Sequence, residues 1–331
     1  MTVLIISALQ DTHAVAVIEA LAARGNCTAE LLDLSEFPDR LALTIAFEEG
    51  LRRFALRRRG GGLLDLSGVN AVWWRRPQPF GLSAAITDAS HRRFVLSESL
   101  TAFQGLYRAL GAFWVNEPGR DADAGHKPWQ LALAQEIGLD IPPTAMTNDP
   151  EEVREFRQRH KGRIIYKQFL ALPDAWRETR LLKPEEAEQF DAVRLAPVIF
   201  QQYVEAVADI RVIAIGEAFY AASTDLRKVD YPVDIRLNLE ARYEAYRLPA
   251  AVEDRLHALM GRLGLEYGAV DLRLTPDGNH VFLEINPSGQ FLYIEQMTGQ
   301  PIAAALAAHL VTQGQRHRSA RNHDSLLGQI G

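Results

Sequence analysis

Apolar positions along the chain switch between two periods. Val3-Leu-Ile-Ile-Ser7 is a continuous apolar run of the kind that fills a buried strand, and His13 to Arg24 repeats at helical spacing until Gly25 ends it. Ala29 to Leu34 is the next strand. Asn70-Ala-Val-Trp-Trp-Arg-Arg-Pro77 is another, stopped by proline. Arg92 to Leu110 reads as a long helix and Phe113 to Val115 as a short strand, with a boundary near Asn116. Strands separated by helices imply a parallel sheet with crossover helices. A second unit opens with a helix through Lys127 and Gln130 to Ile137, ended by Gly138 and Pro142-Pro143. Asp149-Pro150 caps a helix from Glu151 to His160, and Arg163 to Lys167 and Val198 to Val204 are strands. The polar, irregular stretch from Phe169 to Glu186 reads as a loop. A third unit holds a strand at Ile210 to Ile215, a hairpin and a helix from Pro301 to Leu310. The expected domains are therefore 1–116, 117–204 and 205–311, of α/β and α+β class, followed by a disordered polar tail at 312–331.

The most informative pattern is Ala269-Val-Asp-Leu-Arg-Leu-Thr-Pro-Asp-Gly-Asn-His-Val-Phe-Leu-Glu-Ile-Asn-Pro287. Apolar and polar residues alternate on both sides of Asp277-Gly278, a strong hairpin signal. A two- or four-residue loop centred there sets Asp271 opposite Glu284 and Arg273 opposite Phe282. Period two then puts Asp271, Arg273, Glu284 and Asn286 on one face. Val270, Leu272, Leu274, Val281, Leu283 and Ile285 fall on the other, the core face. Two carboxylates directly opposite each other destabilise a sheet, which calls for positive charge between them. Two carboxylates and an amide suit Mg²⁺ shared with substrate phosphates; the alternative is a surface ladder in which Arg273 neutralises the pair. A three- or five-residue loop would break this register.

Composition narrows the picture. The 331 residues are 47% apolar and 24% charged, as in an ordinary globular protein, with a net charge of −6. That balance argues against nucleic-acid binding, which normally shows a basic stripe. The basic run Leu51-Arg-Arg-Phe-Ala-Leu-Arg-Arg-Arg59 has helical spacing and reads as a solvated helix face, or a surface meeting an acidic peptide. Cys27 is the only cysteine, so no intrachain disulfide forms and a reducing cytoplasm is expected. No apolar run reaches membrane-spanning length, and residues 1–8 open directly as a strand without a signal-peptide pattern.

Only five of the 36 basic residues are lysines (Lys127, Lys161, Lys167, Lys183 and Lys228), so a lysine in apolar context stands out. Lys167 ends an apolar strand, where its cation needs a phosphate or a carboxylate partner. Lys127 lies near a helix start, as a surface group or a second phosphate ligand. Asp209-Ile-Arg211 opens a strand. Asp234-Ile-Arg-Leu-Asn238 repeats the alternating polar pattern and places Asp234, Arg236 and Asn238 on one face. Either arginine alone fits a surface ion pair as well as a site.

In their joint order these pieces resemble the ATP-grasp superfamily and, within it, the microviridin-type graspetide ligases, relatives of the ribosomal-protein glutamate ligases. The resemblance rests on Trp73-Trp-Arg-Arg-Pro77, Val115-Asn-Glu-Pro118, His126-Lys-Pro with Gln130-Leu-Ala-Leu-Ala, and Ile141-Pro-Pro-Thr-Ala-Met-Thr-Asn-Asp-Pro150. It continues through Tyr166-Lys167, Gln201-Gln-Tyr-Val204, Asp209-Ile-Arg211, Tyr267-Gly-Ala-Val-Asp-Leu-Arg273 and Phe282-Leu-Glu-Ile-Asn-Pro-Ser-Gly-Gln290, and spans residues 1–310.

The resemblance implies an ATP-grasp fold behind an N-terminal parallel-sheet pre-ATP-grasp domain, and a ligase that clamps ATP. It implies Lys127 and Lys167 on the phosphates, Gln202, Tyr203 and Val204 around adenine, and Asp209 on the ribose. Asp271, Glu284 and Asn286 would hold Mg²⁺, two ions in all. Arg211, Arg236 and Asn238 would face the transferred phosphoryl group, with Arg75 and Arg76 toward the substrate. The expected substrate is a precursor peptide with a leader segment, whose Asp or Glu side chain becomes an acyl phosphate attacked by a Thr or Ser hydroxyl or a Lys amine. A homodimer is implied as well. One departure is that Gln168 to Arg180 contains no glycine, where the superfamily often has a glycine-rich phosphate loop. Two other readings stand beside this one: a ligase adding a free amino acid to a protein or small acid, and an ATP-binding regulatory module without turnover.

Overall fold

The structure, a computed structural model, describes residues 1–169, 179–238 and 240–327. They form two compact units, Met1–Pro118 together with the chain from Pro301 onward, and Gly119–Gln300.

The first unit is built on the expected parallel sheet. Strands β1 (Thr2–Ser7), β2 (Thr28–Leu32), β6 (Val69–Arg76) and β7 (Phe113–Val115) lie in the order β2-β1-β6-β7, all parallel. Val3 to Ile6 are at most 1% exposed, as a sheet covered on both faces requires. Helix α1 (Thr12–Ala23) starts where Asp11 accepts the His13 N–H at 2.9 Å, and α2 (Ala89–Ala109) starts on Asp88 in the same manner.

Two parts of this unit differ from expectation. The arginine-rich run is not a helix but strand β4 (Leu51–Arg58), paired antiparallel with β3 (Leu41–Glu48) and with β5 (Leu63–Asp65) in the order β3-β4-β5. Glu49 and Gly50 both have positive φ, 50° and 78°, which suits a tight two-residue hairpin turn. Phe54, Ala55 and Leu56 are buried at the centre of the strand, with exposed arginines on both sides. The segment after Leu310, expected as a disordered tail, instead continues one helix from Ile302 to Leu327. Its small residues let it lie close on β6: a Cβ at Gly314 would stand 3.2 Å from the Asn70 carbonyl oxygen.

The second unit begins with helices α3 (Pro118–Ala124) and α4 (Lys127–Ile137). Strands β8 (Thr144–Thr147), β9 (Ile164–Lys167), β10 (Arg180–Leu181) and β11 (Val198–Gln202) form an antiparallel sheet in the order β10-β9-β11-β8, with α5 (Pro150–Arg159) packed on it. A second antiparallel sheet runs β14-β13-β12-β15-β16, from β12 (Ala208–Ile215), β13 (Ala218–Asp225), β14 (Glu244–Tyr246), β15 (Tyr267–Leu274) and β16 (His280–Asn286). Helices α4 and α6 (Ala250–Leu263) cover its apolar face; α7 (Leu292–Thr298) follows β16. The division expected at residue 204 lies inside this unit, between its two sheets. Asp234 to Asn238, expected to alternate as a strand, forms a 3-10 turn over Ile235–Leu237. Alternation in five residues does not separate a strand from a polar turn.

A buried ion pair anchors the first unit. The Arg75 side chain is fully buried, with Nε 3.2 Å from Asp11 Oδ2, and the same carboxylate accepts from Ser7 Oγ at 2.7 Å. Burial alone would raise the Asp11 carboxyl, but the His13 and Ser7 hydrogen bonds and the Arg75 charge outweigh it and hold it far below its usual range. Asp11→Ala should therefore cost about 3 kcal/mol, the scale for stranding one partner of a buried pair. Because the folded-state value is lowered, this stabilisation is complete above the ordinary 3.8 and is lost as pH falls below it. Thermal unfolding of variant and parent should show a constant gap at neutral pH that narrows only in acid.

Candidate active site

The site is laid out by the register of three strands. Across β12 and β15, Arg211 stands opposite Asp271 and Asp209 opposite Arg273. Across β15 and β16, Asp271 stands opposite Glu284, the pairing derived from the sequence. The route to that pairing is different. The turn holds three residues, with Thr275 N–H bonded to Asn279 O at 3.0 Å and Gly278 at φ 87°, so Arg273 meets Val281 and not Phe282. A bulge beyond Leu272 then takes up one extra residue on β16 and restores the alignment at Asp271–Glu284. The bulge also moves side chains between faces. Phe282 is fully buried in the core, while Leu283, expected there, lines the cavity beside Glu284.

The opposed carboxylates are offset, but not by Arg273. Arg211 Nη1 lies 2.7 Å from Asp271 Oδ1, and the Lys127 ammonium at the start of α4 contacts Glu284 Oε2. Arg211 is nearly buried; burial pulls its pKa down, and the Asp271 charge more than reverses this, so the guanidinium stays charged. Arg211 Nη2 also donates to the Gln290 carbonyl at 3.2 Å. Arg273, 5% exposed, turns the other way. Its Nε meets Asp209 Oδ1 at 3.0 Å, Nη1 donates to Val204 O at 2.9 Å, and Nη2 to Pro232 O and Val233 O at 2.5 and 3.2 Å. Burial pushes the Asp209 carboxyl up to about 6 against the pull of the Arg273 charge.

Lys127 is aimed by a neighbour whose role the sequence did not reveal. Gln130, one turn along α4, is buried, and its amide bonds both backbone groups of Ile285: Nε2 to Ile285 O at 2.8 Å and Oε1 from Ile285 N at 3.0 Å. The side chain thus supplies the pairing that edge strand β16 lacks there, and fixes Lys127 over Glu284.

These groups line a cavity of about 770 Å³ within the second unit, a size suited to a nucleotide-scale ligand. Lys167 reaches it from the end of β9, Gln202 from the end of β11, and Tyr203 and Val204 from the stretch that follows. Gln202 N–H donates to Pro143 O at 2.9 Å, but proline has no N–H to return, so the ladder leaves the Gln202 carbonyl without that donor. Asn286 sits at the cavity's exposed edge, its Oδ1 accepting from Ser288 N at 3.0 Å. Asn238 lines the cavity, yet its amide closes the loop by bonding Tyr231 N and O at 3.2 and 2.8 Å. The backbone of Arg236 lies in the 3-10 turn; its side chain and residues 170–178, part of the stretch from Phe169 to Glu186 read as a loop, are outside the described residues. Two phenols absent from the sequence reading, Tyr243 and Tyr293, line the same wall with ring centroids 5.4 Å apart, and burial raises both above the ordinary 10.0. Their elements carried no pattern that tied them to the site. Arg75, expected toward the substrate, is committed to Asp11; Arg76 is exposed at the end of β6.

Among the described residues no cluster of three or more His, Cys, Asp or Glu side chains surrounds a metal position. The expected donor set, Asp271, Glu284 and the Asn286 amide, is all hard oxygens, and both carboxylates already attract a cationic side chain. That chemistry fits Mg²⁺, which completes its shell with phosphate oxygens and water.

Comparison with known proteins agrees with this architecture. The family described as the MvdD pre-ATP grasp domain matches residues 2–121. The macrocyclase MdnC of Microcystis aeruginosa MRC, solved with its precursor peptide MdnA, is 29% identical with a TM-score of 0.84, covering 94% of this chain and all of that one. The ATP-grasp ligase PsnB, solved with a minimal precursor, Mg and ADP, is 28% identical with a TM-score of 0.77, over 95% of this chain and 97% of that one. A probable alpha-L-glutamate ligase of Hahella chejuensis (strain KCTC 2396) is 25% identical over 226 residues, 66% of this chain and 73% of its own. The chain has the ATP-grasp fold of these ligases, behind an N-terminal domain that matches the pre-ATP-grasp family.

Gln130→Met keeps the volume but strands three buried backbone groups, the Ile285 N–H and carbonyl and the Ala124 carbonyl, so it should cost at least about 3 kcal/mol at about 1–3 per group. Urea unfolding would show the loss; parent-like stability would mean that the Gln130 bonds carry no weight.

Proposed function

We propose that the protein uses ATP and Mg²⁺ to activate carboxylates of a ribosomal precursor peptide and to join them to hydroxyl or amine side chains of the same peptide. The observation that carries this reading is the row Arg211, Asp271, Glu284, Lys127, a charge order of plus, minus, minus, plus across three strands and a helix start. With nucleotide present, Asp271, Glu284 and Asn286 hold Mg²⁺, two ions in all, while Lys127 and Lys167 turn to the phosphates. Bound there, Mg²⁺ supplies charge neutralisation for phosphoryl transfer. The open Gln202 carbonyl and the backbone of Val204 face the adenine edge beside Tyr203, and Asp209 faces the ribose.

A carboxylate is a poor electrophile because its charge is delocalised and its oxygen leaves badly. Transfer of the γ-phosphoryl group to that oxygen makes an acyl phosphate and ADP. A hydroxyl or amine then attacks the carbonyl carbon, phosphate departs with the C–O bond, and the nucleophile's proton passes to solvent. Arg211, held in place by Asp271 and Gln290, offers its planar fork to the transferred group, with Arg236 as its partner; fixed charge of this kind needs no reorganisation during transfer. Asn238 acts by closing the turn that carries Arg236. Of the two arginines after Trp74, Arg76 is the exposed one and is the side chain that meets an acidic peptide.

The names of the glutamate-ligase relatives favour one competing outcome, addition of a free glutamate. Incubation with ATP, Mg²⁺ and a leader-bearing peptide, read by mass spectrometry, separates the two. Loss of one water per bond supports crosslinking, whereas gain of a glutamate residue overturns it. Lys167→Ala should weaken ATP binding roughly ten- to a hundredfold, the scale of a charge-assisted hydrogen bond of about 1.5–3 kcal/mol. Lys161→Ala, in the exposed turn before β9, should leave calorimetric ATP affinity unchanged, and equal losses would refute the phosphate assignment. Glu284→Gln should keep the fold, as judged by circular dichroism, and lose most ADP formation.

A further inference from the structure

The cavity wall beside Arg211 carries two phenols that the phosphoryl-transfer chemistry leaves unused. Tyr243 directly precedes β14, and Tyr293 lies on α7. Phe291 and Ile294, both fully buried, fix that helix, and Tyr293 and Met297, one turn apart, present the same face to the cavity. The three side chains grade outward: Tyr243 is buried, Tyr293 half-buried and Met297 39% exposed. The two phenol rings meet edge to face, 72° apart. Their hydroxyls are not equivalent. Burial raises the Tyr293 phenol above its ordinary 10.0, while the Arg211 charge and a hydrogen bond from Tyr243 pull it down. Tyr243 therefore donates and Tyr293 accepts, so Tyr293 keeps its own proton to give. Among the described residues no acceptor takes that proton.

We propose that the Tyr293 hydroxyl, oriented by Tyr243, holds the substrate carboxylate beside Arg211 for phosphorylation, and that the face of Tyr293 and Met297 receives the segment that carries it. This placement rests on the protein being a carboxylate-activating ligase. Each charge already present is matched, Arg211 with Asp271 and Lys127 with Glu284, so a further carboxylate beside Asp271 needs a donor of its own. A phenol held protonated supplies one without bringing another charge, and its hydrogen bond to an anion is stronger than one to a neutral acceptor. The ring and thioether surfaces also keep water from the acyl phosphate carbon. One carboxylate oxygen takes the phosphoryl group and the other accepts from Tyr293. The phenol keeps its proton throughout, so it stays a donor to the carbonyl oxygen when the hydroxyl or amine attacks. The thioether of Met297 is flexible, which suits peptide neighbours of varied shape.

Steady-state ADP release with a leader-bearing peptide tests this, with calorimetric ATP affinity as the control. Tyr293→Phe removes one hydroxyl and keeps the ring. It should lower kcat/KM for the peptide about tenfold, the scale of one hydrogen bond to a charged group, with ATP affinity and melting temperature as in the parent. Tyr243→Phe removes only the orienting donor and should cost less in the same parameter. Because the two act in series, the double variant should lose no more than Tyr293→Phe alone. Met297→Glu, which sets a like charge at the mouth, should lower kcat/KM as well. If Tyr243→Phe fails to fold, Tyr293→Phe alone decides. An unchanged kcat/KM in Tyr293→Phe overturns the proposal, as does an equal loss of ATP affinity, which would make the phenols a prop for the nucleotide site. If the parent uses free glutamate and ignores the peptide, the crosslinking function fails, and Tyr293→Phe measured with glutamate still decides the subsite. A parent that turns over no carboxylate overturns both.

Discussion

Two carboxylates facing each other across neighbouring strands are the constraint around which the second unit is arranged. At the separation of a directly opposed pair, like charges repel unless cations stand beside them. Here each carboxylate takes one, Arg211 from β12 for Asp271 and Lys127 from α4 for Glu284. The requirement reaches outward from there. Lys127 arrives only because Gln130 ties α4 to the backbone of Ile285, and Arg211 is steadied by the Gln290 carbonyl beyond β16. A Cβ on Gly289 would overlap the Ala269 methyl and crowd Arg211, so the turn after β16 is also shaped by this pair.

The same row of charges was partly legible in the sequence, by a route that contained two errors. Assuming a two- or four-residue turn at Asp277-Gly278 gave the right partner for Asp271. The actual turn has three residues, and the bulge past Leu272 cancels the slip. Alternation alone does not reveal a bulge, since the extra residue, Leu283, is as apolar as the neighbour it displaces. The cost was a reversal of faces for Phe282 and Leu283. The assignment of neutralising charge also depends on knowledge that strand patterns lack, namely that β12 lies between β13 and β15 and brings Arg211 level with Asp271.

Elsewhere the limits are local. The parallel sheet, its crossover helices, and α4, α5 and β9 follow from strong periodicity and clear caps at Asp11, Gly138 and Asp149, whereas the short α3 and β8 carried no pattern long enough to be read. The run from Leu51 to Arg59 satisfied a helical spacing because Leu51, Phe54 and Ala55 stand at i, i+3 and i+4 among arginines. What decided it was the pair of positive-φ residues at Glu49 and Gly50. The stretch from Gln313 to Leu327 looked disordered for its polarity, yet alanine, arginine, glutamine and leucine extend a helix once Ile302, Leu306 and Leu310 have anchored it.

Arginine and lysine divide the work in a way their chemistry explains. Among the described residues the two most buried arginines are structural clamps: Arg75 on Asp11, and Arg273 on Asp209 and three carbonyls. A planar fork spends its donors in fixed directions, so a guanidinium with four partners is not easily released. Lys127 meets Glu284 through a single ammonium on a flexible stem, with its side chain 20% exposed. Such a contact can be exchanged when a divalent cation takes the carboxylate and a phosphate takes the ammonium, because both charges keep a partner throughout. An arginine clamped as Arg273 is would have to break several bonds for the same exchange. The scarce lysines at Lys127 and Lys167 therefore stand at the cavity, and the abundant arginines hold its walls.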